Sequence, residues 1–148
     1  MQISSRFTIA LHIFSCVDTF GDEYKVTSDF LASSINTNPV IIRRILGQLR
    51  KAGLINVARG TGGITPTRPL SEITFYDVYK AVDPIERGSL FHFHENPNPE
   101  CPVGRNIHNL LNDKLDAIQK AMEDEMRKYT IEDLHEGMES IIAKEEST

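Results

Sequence analysis

Apolar residues near the start of the chain recur with the period of a helix. Phe7, Ala10, Leu11, Phe14 and Val17 share one face, while Ile9, Ile13 and Cys16 lie on the opposite one. A helix apolar on two sides must be covered on two sides, so this pattern points to a partner surface. Ser4 or Ser5 can cap its start, and Gly21 lies just beyond its end. A short second helix follows in "YKVTSDFLASSI", with Thr27 as N-cap and Val26 and Leu31 spaced as a hydrophobic staple. Asn36 and Thr37 make a turn, after which Asn38 and Pro39 suit an N-cap and a first helical position. The third helix runs to about Ala52 and stops at Gly53. Its apolar face is Ile42, Ile45, Leu46 and Leu49; the opposite face carries Val40, Arg44, Gly47 and Lys51, flanked by Arg43 and Arg50.

The period then changes. "LINVARGTGGITPT" has two short runs with β-branched residues around a glycine-rich tip, a hairpin signal, and Pro66 confines the second strand to an edge. "ITFYDVYKAVD" returns to a helix, with Thr74 and Asp77 spaced as a capping pair. Residues 84–102 contain five of the chain's prolines and glycines and read as a loop. From about Val103 to Tyr129 a long helix carries a stripe of Ile107, Leu111, Leu115, Ile118, Met122, Met126 and Tyr129. Thr130 and Asp133 can cap a last helix that frays into "KEEST". The expected fold is mainly α with a small β-hairpin. It divides into a winged helix-turn-helix domain over 1–83, a loop and possible sensor region over 84–102, and a helical dimerisation region over 103–148.

Charge sharpens this picture. The chain has 148 residues and a formal net charge of −5, yet no acidic residue occurs between Phe30 and Ser71. Residues 1–71 carry a net +4 and residues 72–148 a net −9. Two helices joined by a tight turn, then a hairpin, make a winged helix-turn-helix whose second helix enters the major groove N-terminus first. Asn38, Val40, Arg43 and Arg44 lie in its first turns. Arginine can take guanine bidentately, and valine can touch a thymine methyl. Arg59 with Gly60, Gly62 and Gly63 forms a tip small enough to approach a phosphate or a minor groove. A carboxylate on such a surface would repel the DNA backbone, which accounts for the acid-free run. "RGTGG" lacks the Gly-Lys-Ser/Thr of a nucleotide loop, and Thr65 stands where GxGxxG needs its last glycine, so the tip reads as a turn.

These residues resemble a known family. "NPVIIRRILGQLRKAGLINVARGTGG" followed by "LSEITFYDVYKAVD" looks like the Rrf-two family of bacterial transcriptional regulators, and the resemblance runs from "SSRFTIAL" through "YTIEDL". It implies a homodimer on an imperfect palindrome of double-stranded DNA, the third helix in the major groove and the wing along the minor groove. Carried over, it assigns Asn38, Val40, Arg43 and Arg44 to the groove and Arg59, Gly60, Thr61 and Gly62 to the wing. It brings Ser5 and Arg6 near phosphate. Cluster-binding members place three cysteines before the long helix, where this chain has Cys101 alone. One thiolate cannot hold a two-iron cluster, so no cofactor is expected. "NPECPVG" instead resembles the subgroup without the cluster, some of whose members sense oxidants or electrophiles through a thiol.

Cys101 suits that role, since Pro102 fits a first helical position and the helix N-terminus favours a thiolate. Glu100 is expected to act against this, and Cys16 reads as packing. His92, His94, Cys101 and His108 form a ligand-like cluster, but their spacing matches no standard zinc pattern, and no metal site is assigned. The stripe of Ile107, Leu111, Leu115, Ile118 and Met122 is assigned to a dimer interface, which also suits a palindromic site. No run of 18 apolar residues exists and no signal peptide is expected, so a cytoplasmic protein without a membrane partner is anticipated. The reading is a dimeric DNA-binding transcriptional regulator, a repressor of stress or redox genes sensing through Cys101 or the adjacent loop. Two alternatives stand beside it: a winged-helix protein-interaction module, for which the acidic C-terminal part would suit a basic partner, and a ligand- or metal-responsive regulator without thiol chemistry. An enzyme is not expected, because Cys101 and His108 lack an orienting third group.

Overall fold

A computed structural model of the chain describes residues 4–21, 25–58, 63–83 and 90–147. Helix starts fall where a side chain can satisfy the free amides of a first turn. The Ser4 hydroxyl accepts from the Arg6 amide at 3.1 Å and opens α1 (Ser5–Phe20). Thr27 Oγ1 accepts from the Phe30 amide at 3.2 Å and opens α2 (Ser28–Ile35). Asn36, in the left-handed region at φ 60°, ends α2, and the Thr37 amide reaches back to the Ala32 carbonyl at 3.0 Å. Asparagine tolerates that conformation better than most residues, which makes the tight turn possible. Asn38 Oδ1 accepts from the Val40 amide at 2.8 Å and opens α3 (Pro39–Lys51). Gly53, at φ 77°, stops it, with the Leu54 amide bonded to the Leu49 carbonyl at 3.0 Å.

Strands β1 (Ile55–Val57) and β2 (Ile64–Pro66) pair antiparallel, Ile55 opposite Pro66 and Val57 opposite Ile64. A short 3₁₀ turn, Leu70–Glu72, leads into α4 (Phe75–Val82), which opens on a reciprocal capping box between Thr74 and Asp77. The long helix α5 spans Pro102–Met126, beginning one residue before the expected start and ending three before the expected end. Tyr129 is taken out of the helix because its carbonyl accepts from the Phe75 amide at 2.9 Å. A second capping box, Thr130 with Asp133, then opens α6 (Ile131–Glu146).

One apolar core joins α1, α2, α3, the hairpin, α4 and the start of α6. Ile13, Phe14, Leu31, Ile42, Ile45, Leu49, Ile73, Val78 and Ile131 are all essentially buried. Each such side chain contributes about 1.5–3 kcal/mol by leaving water. The two-sided first helix is explained here, and the explanation corrects the sequence expectation. Its second face needs no partner chain: α6 packs along α1, bringing Ile131 and Leu134 to the core that holds Ile13 and Cys16. Backbone pairing fixes that docking, since Thr74 and Thr130 form an isolated antiparallel bridge and the Ile131 amide donates to the Ile73 carbonyl at 3.0 Å. The Arg127 guanidinium lies over the Tyr76 ring at 4.0 Å, and His135 pairs with Asp18 across the α1–α6 contact.

Candidate nucleic-acid interface

The period of α3 separates its two faces: Ile42, Ile45, Leu46 and Leu49 enter the core, so Val40, Arg43, Arg44, Gly47, Arg50 and Lys51 face out. Val40 is 54% exposed although it is apolar, which leaves it free to meet a thymine methyl. Among the described residues, Arg43, Arg44, Arg50 and Lys51 have no carboxylate partner. Unneutralised guanidinium groups on one helix face create a local positive potential on a chain that is acidic overall. Asn38 is exposed, but its Oδ1 is occupied by the Val40 amide, leaving its Nδ2 amide group for an outside acceptor.

Between α3, the start of α2 and the hairpin lies an open cleft of about 510 Å³. Arg43 and Arg50 line it, seven residues and so two helical turns apart, together with Thr27, Ser28 and Val57. Asp29 lies in the same lining and is the one carboxylate there among the described residues. The sequence assignments omitted Arg50 and Ser28. The seven-residue spacing of the two arginines was a readable signal for the first; the approach of α2 to the hairpin had none.

Of the remaining predicted contacts, Arg59, Gly60, Thr61 and Gly62 lie outside the described residues. The strands leading to that tip are in place, with the Ala58 amide donating to the Gly63 carbonyl at 3.0 Å. Ser5 is exposed at the first position of α1. Arg6 is half-buried, and its guanidinium lies 3.9 Å from the Asp83 carboxylate. Arg68, part of the acid-free run, is engaged at 3.0 Å by Asp77 and therefore adds nothing to the free basic surface.

The loop before α5 is pinned to that helix at both ends. Gln119, the buried residue of α5, accepts from the Leu90 amide at 2.7 Å. Arg105 donates to the Pro99 carbonyl at 3.0 Å, and a Cβ at Gly104 would lie 2.6 Å from the Asn98 carbonyl oxygen. Glycine is thus required where the loop crosses the helix start. Cys101 is the exposed N-cap of α5. Its thiol makes no full capping bond of the kind Ser4 makes, yet the amides of Gly104 and then Val103 hold its pKa below the ordinary thiol value. Slight desolvation, rather than the charge of Glu100, works in the opposite direction. Cys16 is buried in α1 and donates to Ser34 Oγ at 3.3 Å.

Along α5 the stripe of Ile107, Leu111, Leu115 and Met122 is only half-buried, and Ile118 is 54% exposed. No helix is long and apolar enough to cross a membrane among the described residues.

Comparison with known proteins agrees with this geometry. The chain matches the profile of the Rrf2 family, described as an iron-dependent transcriptional regulator, over residues 3–137. YwnA, a candidate HTH-type transcriptional regulator of Bacillus subtilis (strain 168), is 39% identical over 133 residues, which cover 90% of this chain and 96% of YwnA. Among solved structures, a candidate DNA-binding protein superposes with a TM-score of 0.71 at 33% identity, covering 88% of this chain and 99% of its own. A candidate transcriptional regulator from Lactobacillus plantarum superposes with a TM-score of 0.73 at 25% identity, covering 97% of this chain and 99% of its own.

Proposed function

The chain belongs to the Rrf2 family of transcriptional regulators, and we propose that it acts as a homodimeric repressor whose DNA grip is released through Cys101 and its loop. The observation that carries the DNA reading is the outer face of α3, with four unpaired basic side chains and the exposed Val40. Two such helices, related by a two-fold axis, would read the half-sites of an imperfect palindrome. Asn38, Val40, Arg43 and Arg44 read the major groove, Arg59, Gly60, Thr61 and Gly62 lie along the minor groove, and Ser5 and Arg6 approach phosphate from the start of α1, Arg6 with its charge partly offset by Asp83.

The family description carries iron, and the donor set of this chain does not fit it. A two-iron cluster needs four ligands. Here the loop supplies the single thiol Cys101, Cys16 is buried in α1, and no group of three or more His, Cys, Asp or Glu suited to an ion occurs among the described residues. The proposed signal is therefore thiol chemistry. The Cys101 thiolate attacks a peroxide oxygen, an S–O bond forms as the O–O bond breaks, and the departing hydroxide takes a proton from solvent, leaving a sulfenic acid and water. A changed N-cap would shift α5 and, through the dimer, the separation of the two α3 helices.

Footprinting on the DNA upstream of the protein's own gene, with reduced and peroxide-treated protein side by side, tests both halves. A palindromic footprint that fades on oxidation is expected. Protection indifferent to peroxide would sink the thiol switch and keep the DNA reading. Binding that does not weaken with salt would sink the DNA reading itself, because neutralised phosphates release counterions at about 0.9 per contact. Arg44→Ala is expected to lower affinity by about tenfold or more, a loss within the range of one bidentate base contact.

A further inference from the structure

Loop residues 91–97 and α5 enclose a second cleft, of about 870 Å³. Its size is in the upper range of small-molecule sites. The walls differ in chemistry. Phe91 and Phe93 give it aromatic surface, while α5 presents His108, Asn112 and Asp116, spaced by four residues and hence aligned along one edge of the helix. His108 is held in place by rings: Phe93 lies 4.6 Å away between centroids and His94 5.0 Å away, the latter edge to face. Its Nε2 atom is enclosed and has no hydrogen-bond partner. Enclosed polar atoms left unpaired cost free energy, so a turn of the His94 ring that lets a ligand atom reach this nitrogen is favoured.

Charge selects the ligand. Glu95 and Asp116 both line the cleft, and no lysine or arginine does so among the described residues. Anions such as phosphates and carboxylic acids are disfavoured there. A cation gains twice, from the carboxylates and from the faces of the phenylalanine rings. We propose that this cleft is a binding site for small organic cations, amines that carry an aromatic body. The ammonium is held by Asp116 and Glu95, the ring lies against Phe91 and Phe93, and a turn of the His94 ring uncovers His108 Nε2 to accept from a ligand N–H. The site stands apart from the thiol chemistry of Cys101, which is two helical turns away along α5.

Isothermal titration calorimetry on the full chain without DNA tests the site separately from the DNA reading. The probes are 2-phenylethylammonium and, as an anion of similar size, 3-phenylpropionate. The cation is expected to bind at least tenfold more tightly than the anion. Asp116→Asn and His108→Phe should each weaken the cation about tenfold, while Asp124→Asn, paired with Lys120 and outside the cleft, should leave it unchanged. Asp116 is exposed and Asn is close in size, so that variant should keep the fold, which circular dichroism would verify. Equal affinity for the two probes, no heat with the cation, or indifference to Asp116→Asn would each overturn the proposal. Zinc ion bound in place of the cation and lost in His108→Phe would also overturn it, in favour of a metal site.

Discussion

At the scale of single residues, position decides what an ordinary side chain can do. Cys16 and Cys101 have the same thiol, but one is enclosed in the core and the other stands at a helix N-terminus in water. Only the second has amides of a first turn directed at its sulfur. Its alkylation by iodoacetamide should therefore rise with pH through an inflection below the ordinary thiol value, because the folded protein favours the thiolate. Cys101→Ser should abolish the fast reaction and leave the DNA affinity of the reduced protein unchanged. A rate unaltered by that substitution, or an inflection at or above the ordinary value, would show that the helix start does not activate this cysteine. Arg6 and Arg68 teach the complementary lesson. Composition counts them with the other arginines, yet the first lies beside Asp83 and the second is paired with Asp77, which separates them from Arg43 and Arg44.

Elements are joined here by their ends as much as by their faces. The capping boxes at Thr74 and Thr130 lie side by side, and the backbone bridge between them attaches α6 to the winged domain. Thr74→Ala removes the acceptor for the Asp77 amide and should cost about 1 kcal/mol in denaturant unfolding, the usual penalty for a lost N-cap. Between α1 and α6, hydrogen bonding to Asp18 raises the pKa of His135 above its ordinary 6.5, with Glu139 and Glu132 adding to the effect. A raised folded-state value means that the charged pair stabilises fully below the unfolded pKa and is lost as pH climbs through the folded one. Thermal melts should accordingly fall between about pH 6.5 and the higher folded value. His135→Gln should flatten that part of the curve, and an unchanged slope in the variant would exclude the pair as its origin.

For the whole molecule, α5 is the element left over. α6 returns to cover α1, but α5 buries only Gln119 and leaves the stripe from Ile107 to Met122 half in water. A second copy of the chain is the proposed cover, placing two α3 helices on one side of a two-fold axis. Leu115→Glu or Ile118→Glu should convert a dimer into a monomer in light scattering and weaken operator binding by at least tenfold, since the half-sites would then be bound independently. A wild-type chain that sediments as a monomer would end the proposal.

Much of this protein was determined locally. Helix starts at Ser4, Thr27, Asn38, Thr74 and Thr130, the stop at Gly53, the hairpin and the division of α3 into an apolar and a basic face are set by residues within a few positions of one another. Caps, turns and periodicity have short range, so a sequence can display them. The tertiary structure alone decided which apolar face meets which. The second face of α1 is covered by a helix more than a hundred residues later, and no local pattern distinguishes that cover from a partner chain. Likewise, Phe93 and His108 come together only because the loop folds back on α5, and the basic face of α3 stays free because Arg43 and Arg44, unlike Arg6 and Arg68, meet no carboxylate among the described residues. Long-range contacts depend on the summed packing of the whole chain, which is why they had to be seen rather than read.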